Sequence, residues 1–428
     1  MRATARCLFA ALLAWTAAAQ ATDITPLLSN PKLWSLTQDE FQHLPETKGF
    51  RWTSAAHDSA RAGEQELTLF ALPLVEVVAR FEGGKLVEIT PTIYARGDVG
   101  GLPREQFEAL IRAAMEALNL NTKVQSVVRG KDATNAVKAE GIIWNAPTAK
   151  YLLEYSFTHE MKTRNIPFRA EFVRLEIKPP DAKPSLLQFS SINGKAFYGL
   201  DHVKRDSASG DVVISDVPMV DQGQKGYCAV ACAERMLRYY GVQTDANELA
   251  QIANTDAGRG TSADAMFDAL KKVSARLHVR VKPVEQFEAK QMLSLIAEYN
   301  RTAKHDKAPE VRPKGEMLDV TAIFRSMDAG VLKETRTHNH SDVTRFQTDV
   351  AKYIDAGTPI IWSVMLGIFP EPGVPQSGGG HMRLIIGYNT KKNEIIFTDS
   401  WGAGHEKKRM PLENAVTIST GLTVIEPM

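Results

Sequence analysis

The chain has 428 residues, enough for roughly two or three domains. Its 44% hydrophobic and 24% charged content is that of a globular protein with material for a sizeable core. Lys+Arg is 51 against 50 Asp+Glu, a net of +1. This balance gives no electrostatic reason to expect nucleic acid or an acidic membrane as a partner.

Met1-Arg2 and Arg6 make a basic start, residues 7–19 are almost wholly apolar, and Ala19-Gln20-Ala21 supplies a small-x-small cleavage pattern. The run falls short of the ~20 residues that span a bilayer. The expectation is a signal peptide over 1–21, export to a periplasm or the medium, and no stable membrane insertion; an uncleaved tether is the alternative. Beyond Cys7 only Cys228 and Cys232 remain, fewer than a disulfide-dependent exported protein carries.

Residues 22–180 read as an α+β unit. Runs 75–81 and 85–94 flank Glu82-Gly83-Gly84, a hairpin signal. A helix is predicted over 104–119, with Phe107, Leu110, Ile111, Ala114 and Leu118 along one face. Strands are predicted at 141–144, 151–157 and 168–177. Residues 181–210 read as a linker, rich in Pro, Gly and Ser. Within it Lys204-Arg205 is either a processing point or a solvated charge pair. Two roles stay open for the preceding unit: a cover over the site until it is cut away, or a permanent accessory domain.

Residues 211–428 have the scale of one enzyme domain. Helices are predicted at 248–254, 263–274, 286–300 and 341–355, the last capped by Ser341 and stopped by Gly357. Strands follow at 358–366, 381–389, 394–399 and 421–426.

The segment from Asp221 to Gly241 is the richest in chemistry. Residues 228–240 read as a mostly buried helix, with Glu234, Arg235 and Arg238 gathered on one side and Gly241 as the stop. Cys228 then starts a helix, where unsatisfied N–H groups and the macrodipole stabilise a thiolate. A buried structural cysteine is the competing reading. Gln222, six positions upstream (228 − 222), can donate beside the sulfur, with the Cys228 N–H as second donor to an oxyanion. Cys232 falls a turn inside the helix, where burial raises a thiol pKa.

Near the C-terminus, Gly378-Gly379-Gly380 precedes His381 and an apolar strand; a polar turn and Asp399-Ser400-Trp401-Gly402 follow. A hairpin centred on Lys391 sets His381 opposite position 401 (391 + 10). Asp399 is then its diagonal neighbour on the same face, placed to fix the imidazole tautomer. Trp401 on that face would shield the pair. Arg383 shares the face too, either binding an acidic substrate group or, as preferred, pairing with a carboxylate. His338 and His340 read as a solvated loop, and His405 lies close to the Trp-Gly turn. No P-loop, dinucleotide fingerprint or zinc motif is present.

Gln222-Gly223, Gly226 and Cys228 resemble the oxyanion glutamine and active-site cysteine of the papain family, at that family's spacing. His381 heading a strand, then Asp-Ser-Trp-Gly, resembles its histidine and Asn-Ser-Trp-Gly. Ala229 stands where the family has tryptophan, and Lys225 where it has a disulfide cysteine. Cys-Ala-Val-Ala-Cys with Tyr-Tyr-Gly, Gly260-Thr261-Ser262 and Asp399 look closer to the C39-like peptidases that trim double-glycine leaders. The resemblance implies an α+β, papain-like, two-lobed domain over 211–428. It implies a cysteine peptidase acting on a peptide or protein substrate through Cys228, His381 and Asp399, without metal or cofactor. A transglutaminase-like acyl transferase and a peptidase-like binding protein without turnover are the alternatives.

Overall fold

Two antiparallel ladders organise the computed structural model, which describes residues 22–428 apart from 64–65, 134–136, 161–162, 164, 183–198, 224–225, 243, 256–260, 314–317 and 377. The expected signal segment, most of the expected linker, Lys225 and Gly260 therefore lie outside the described residues.

The first ladder grows from the expected hairpin. Strands Glu76–Glu82 and Lys85–Ala95 pair across Gly83 and Gly84, whose φ values of 58° and 76° suit a tight two-residue turn. Around it an eight-stranded sheet runs in the order Arg51–Trp52, Ser59–Ala62, Glu76–Glu82, Lys85–Ala95, Arg169–Lys178, Lys150–Thr158, Lys138–Asn145, Val127–Ala133. The helix Arg104–Thr122 buries Phe107, Ile111, Ala114 and Leu118 against it, while Leu110 is half-buried at the rim. Trp144, fully buried, satisfies its indole N–H on Asn119 Oδ1 at 2.8 Å.

The second sheet runs Val203–Asp206, Asp211–Ile214, Gly379–Asn389, Ile360–Leu366, Ser419–Pro427, Val279–Gln286; Glu394–Thr398 also pairs with Gly379–Asn389 and carries Lys408–Pro411 beyond it. Strand Gly379–Asn389 is buried along nearly its whole length, with an apolar run at Leu384–Ile386 and with His381, Arg383 and Asn389 buried beside it. Helices Cys228–Tyr239 and His340–Asp355 pack against it. The fold is thus mixed helix and sheet.

Several local expectations shift. Asn339, not Ser341, caps the helix His340–Asp355: its side chain accepts from the Ser341 N–H at 3.1 Å, so the helix starts one residue earlier. His338 and His340 lie at the junction of that helix and the unforeseen Ala329–Thr337. Strand Val279–Gln286 also went unforeseen. Its Pro283 argues against a central strand, and the sheet accepts it at an edge, beside a register shift. Lys204 and Arg205 stand exposed on Val203–Asp206, backbone-paired to Val213 and Val212, with Arg205 donating to Asp355 at 2.8 Å.

Candidate active site

Cys228 is the first residue of the helix Cys228–Tyr239, and Gly241, at φ 79°, ends the turn after it. The stripe Cys228, Cys232, Arg235, Tyr239 faces the second sheet. Cys232 Sγ donates to the Met382 carbonyl at 3.3 Å, and Tyr239 Oη donates to the Gly357 carbonyl at 2.9 Å. Arg235 is 1% exposed rather than solvated, because it donates to the carbonyls of Pro218 and Asp399 at 2.7 and 3.0 Å. Glu234 is buried as well, paired with Arg238 at 3.3 Å. The expected polar side of this helix is therefore interior.

The hairpin that carries His381 contains a bulge. Near the turn Asn389 pairs with Glu394 and Gly387 with Ile396. Past a register shift between Ile385 and Gly387, Leu384 pairs with Thr398, centred on Lys391 as expected ((384 + 398)/2 = 391). Asp399 follows next and reaches diagonally to His381. His381 Nε2 meets Asp399 Oδ1 at 2.9 Å, and Arg383 Nε donates to the same oxygen at 2.9 Å. All three side chains are fully buried. Arg383 also pairs with Glu371 at 2.8 Å and lies over the Phe397 ring at 4.6 Å. It is a carboxylate partner, the preferred expectation.

Trp401 stacks on His381, ring centroids 4.1 Å apart. His405 meets the edge of Trp401 at 5.6 Å, and its carbonyl accepts from the Asp399 N–H at 3.0 Å. The indole separates its ring from His381. His381 Nδ1 is buried and is the ring nitrogen left over by the Asp399 bond, and His381 and the Cys228 thiol shift each other's pKa.

The electrostatics favour a charged pair. Burial alone would push the Cys228 thiol up, but its interaction with His381 outweighs this and lowers its pKa. Burial pulls His381 down, but Asp399 and Cys228 raise it on balance. Burial raises Asp399, while His381 and Arg383 hold it below the usual carboxylate range. Cys232, fully buried, is pushed well up by desolvation. Both cysteines are free thiols.

Gln222 is buried and pinned to the Asp399–Trp401 turn. Its N–H donates to the Ser400 carbonyl at 2.8 Å, and its Oε1 accepts from Ser400 Oγ at 2.6 Å. That bond makes Nε2 the donor end of the amide. Asp221 Oδ1 accepts from Gly223 N–H at 2.8 Å in the same turn. Gly226 is exposed, its carbonyl accepting from Thr261 N–H at 3.3 Å. Ala229, in place of tryptophan, is 1% exposed. Sequence reasoning missed Ser400 and Arg235 as supports. Ser400 lay inside the Asp-Ser-Trp-Gly signal, but Arg235 gave no local sign. Among the described residues no cluster of three or more His, Cys, Asp or Glu is arranged to hold a metal, and no helix is long and apolar enough to cross a membrane.

Residues 216–305 match the model of the Peptidase C39 family, and residues 302–419 that of the Peptidase C39 like family. The resemblance is to cysteine peptidases of the C39 kind. Gln222 and Cys228 fall in the first matched segment, His381 and Asp399 in the second. Among solved structures, the peptidase domain of Streptococcus ComA, a bifunctional ABC transporter involved in quorum sensing, is 13% identical; the match covers 50% of this chain and 100% of that one, with a TM-score of 0.25. Xylellain, a cysteine protease from Xylella fastidiosa, is 12% identical over 53% of this chain and 90% of its own, with a TM-score of 0.28. Scores this low leave both as neighbours only. No curated protein matches the chain.

Proposed function

We propose that the chain is an exported cysteine peptidase whose papain-like, two-lobed catalytic part, residues 211–428, cleaves peptide bonds through Cys228, His381 and Asp399. The observation that carries this reading is the 2.9 Å contact of His381 Nε2 with Asp399 Oδ1, beside a thiol at a helix start whose pKa His381 lowers. The basic start, apolar run and Ala19-Gln20-Ala21 support export to a periplasm or the medium.

In the proposed cycle the Cys228 thiolate attacks the substrate carbonyl carbon. A C–S bond forms and the π pair moves to oxygen, held by Gln222 Nε2–H and the Cys228 N–H. The His381 imidazolium gives its proton to the leaving nitrogen, the C–N bond breaks, and a thioester remains. Water, losing a proton to the neutral imidazole, then attacks the thioester and the thiolate departs. Protons and electrons balance with these groups and water.

A thiol-directed epoxide probe with mapping of the labelled residue, run beside a peptide-cleavage assay, tests the reading. Label on Cys228 and new peptide ends support it. Label on Cys228 with amine incorporation and no cleavage would assign the chain to acyl transfer. Folded protein that takes no label would be a binding module.

A further inference from the structure

The cysteine helix carries a second stripe, one residue ahead of the first: Tyr227 at its start, then Ala231, Glu234 and Arg238. These residues line a cavity of about 390 Å³ whose other wall comes from the first sheet, with Arg61, Glu76 and Arg174 among its residues. Around this cavity the N-terminal part holds on in three places. Tyr227, 3% exposed, sets its hydroxyl against Gly97, and burial first and then the nearby Asp98 carboxylate push its pKa up. There a Cβ added at Gly97 would stand 2.0 Å from the hydroxyl oxygen. Arg61, buried and paired with Glu76 at 2.9 Å, lies over Gly223, where an added Cβ would stand 2.5 Å from Nη1. Arg174, bonded to Glu154 at 2.9 Å, reaches Glu248 at 3.2 Å and also pairs with Asp245. Val137, Ala139 and Phe172 meanwhile belong to the same apolar core as Tyr227, Val230 and Leu249.

Two of these holds fall next to the proposed catalytic groups. Gly223 follows Gln222, and Tyr227 precedes Cys228, so they bear on the neighbours of the oxyanion donor and of the thiol. Cys228, His381 and Asp399 take their polar partners from residues 228–405. Cutting the N-terminal part away would bare Tyr227 and part of the apolar core, and would strip buried Glu248 of Arg174. A cover made for removal would leave a surface that is stable in water.

We propose that residues 22–178 are a standing clamp on Gly223 and Tyr227, with Gly97, Asp98 and Arg61 as positioning residues for Cys228 and Gln222, so that the N-terminal part serves catalysis and is not a cover to be removed. This rests on the reading of Cys228 as the nucleophile.

The test is the rate of iodoacetamide alkylation of Cys228 against pH, mapped by mass spectrometry on the full chain and read beside thermal melting. It compares wild type, Gly97→Ala, Tyr227→Phe and the double variant. Gly97→Ala drives its methyl into the Tyr227 hydroxyl, and the alkylation rate at pH 6 should fall about tenfold. Removing the hydroxyl takes away the 2.0 Å overlap and leaves ring carbons at 3.0 and 3.2 Å, tight contacts that a shift of a few tenths of an ångström accommodates. The double variant should therefore react faster than Gly97→Ala. A Gly97→Ala rate equal to wild type, or a double variant no faster than Gly97→Ala, overturns the clamp. If Gly97→Ala does not fold, Tyr227→Phe decides. There the loss of the hydroxyl from its place against Gly97 should slow alkylation about threefold, and an unchanged rate overturns the proposal. A wild-type chain whose Cys228 shows no thiolate reactivity at pH 6 fails the nucleophile reading instead.

Discussion

Trp401 lies flat on the His381 imidazole, with ring planes 5° from parallel and centroids 4.1 Å apart. The stack keeps the ring from rotating and removes water from one of its faces. Trp401→Ala should lower kcat about ten- to a hundredfold by freeing the imidazole, with KM little changed. Trp401→Phe should keep most of the activity because an aromatic face remains. Steady-state kinetics on one peptide substrate check both, and equal loss in the two variants would remove the stacking argument.

The two thiols should separate cleanly. Cys228→Ala is expected to abolish turnover with the melting temperature preserved. Cys232→Ala should retain most activity and lose about 1 kcal/mol of stability, the cost of a small cavity at a fully buried site. Similar activity losses in two folded variants would mean that the nucleophile is misassigned.

Asp399 has two donors on one oxygen, so its variants should divide activity from stability. Asp399→Asn keeps an acceptor that orients His381, and activity should fall only modestly. The amide cannot balance buried Arg383, which then depends on Glu371 alone, so its melting temperature should drop. Asp399→Ala leaves both donors without a partner and should cost about 3–5 kcal/mol as well as turnover. Calorimetry beside kinetics reads this; an asparagine variant as inactive as the alanine one would show that orientation alone is the wrong account.

The pH profile follows from the signs of the shifts. The thiol is lowered from its ordinary 9.0 and the imidazole raised from its ordinary 6.5. Both shifts favour the charged pair, in which the thiol is ionised while the imidazole still holds its proton. With rising pH, kcat/KM should rise as the thiol ionises and fall as the imidazole loses its proton, both limbs belonging to the pair. Asp399→Asn removes a charge that raises His381, so the basic limb should move to lower pH. A basic limb that stays in place would clear Asp399 of that role. In the stability profile, the depressed Asp399 contributes above 3.8 and its contribution is lost as pH falls through the folded value.

The candidate site residues were legible because each sits in a local pattern: a helix start after a glycine-rich stretch, a strand after three glycines, a four-residue turn. The long hairpin and the helix over Phe107 were legible for the same reason, one strong period apiece. Arg235 was not, since a charged residue four before a helix end reads as solvated until the carbonyls of Pro218 and Asp399, distant in sequence, are known to meet it. Strand Val279–Gln286 was hidden by its own proline. Tyr227 passed unremarked because its partner Asp98 lies more than a hundred residues away.

The irregularity between Ile385 and Gly387 has a consequence for how this hairpin can vary. Were the pairing at the turn continued without it, Leu384 would stand opposite Asp399 (783 − 384 = 399) and Arg383 opposite Ser400. Since faces alternate along a strand, the carboxylate would turn away from His381 and the serine hydroxyl would turn toward it. One surplus residue thus acts as a parity switch. Odd insertions or deletions between His381 and Asp399 exchange the acid for a hydroxyl, while compensated changes of two within the turn leave the pair intact. Length drift in this hairpin is constrained in its evenness, more than in its size.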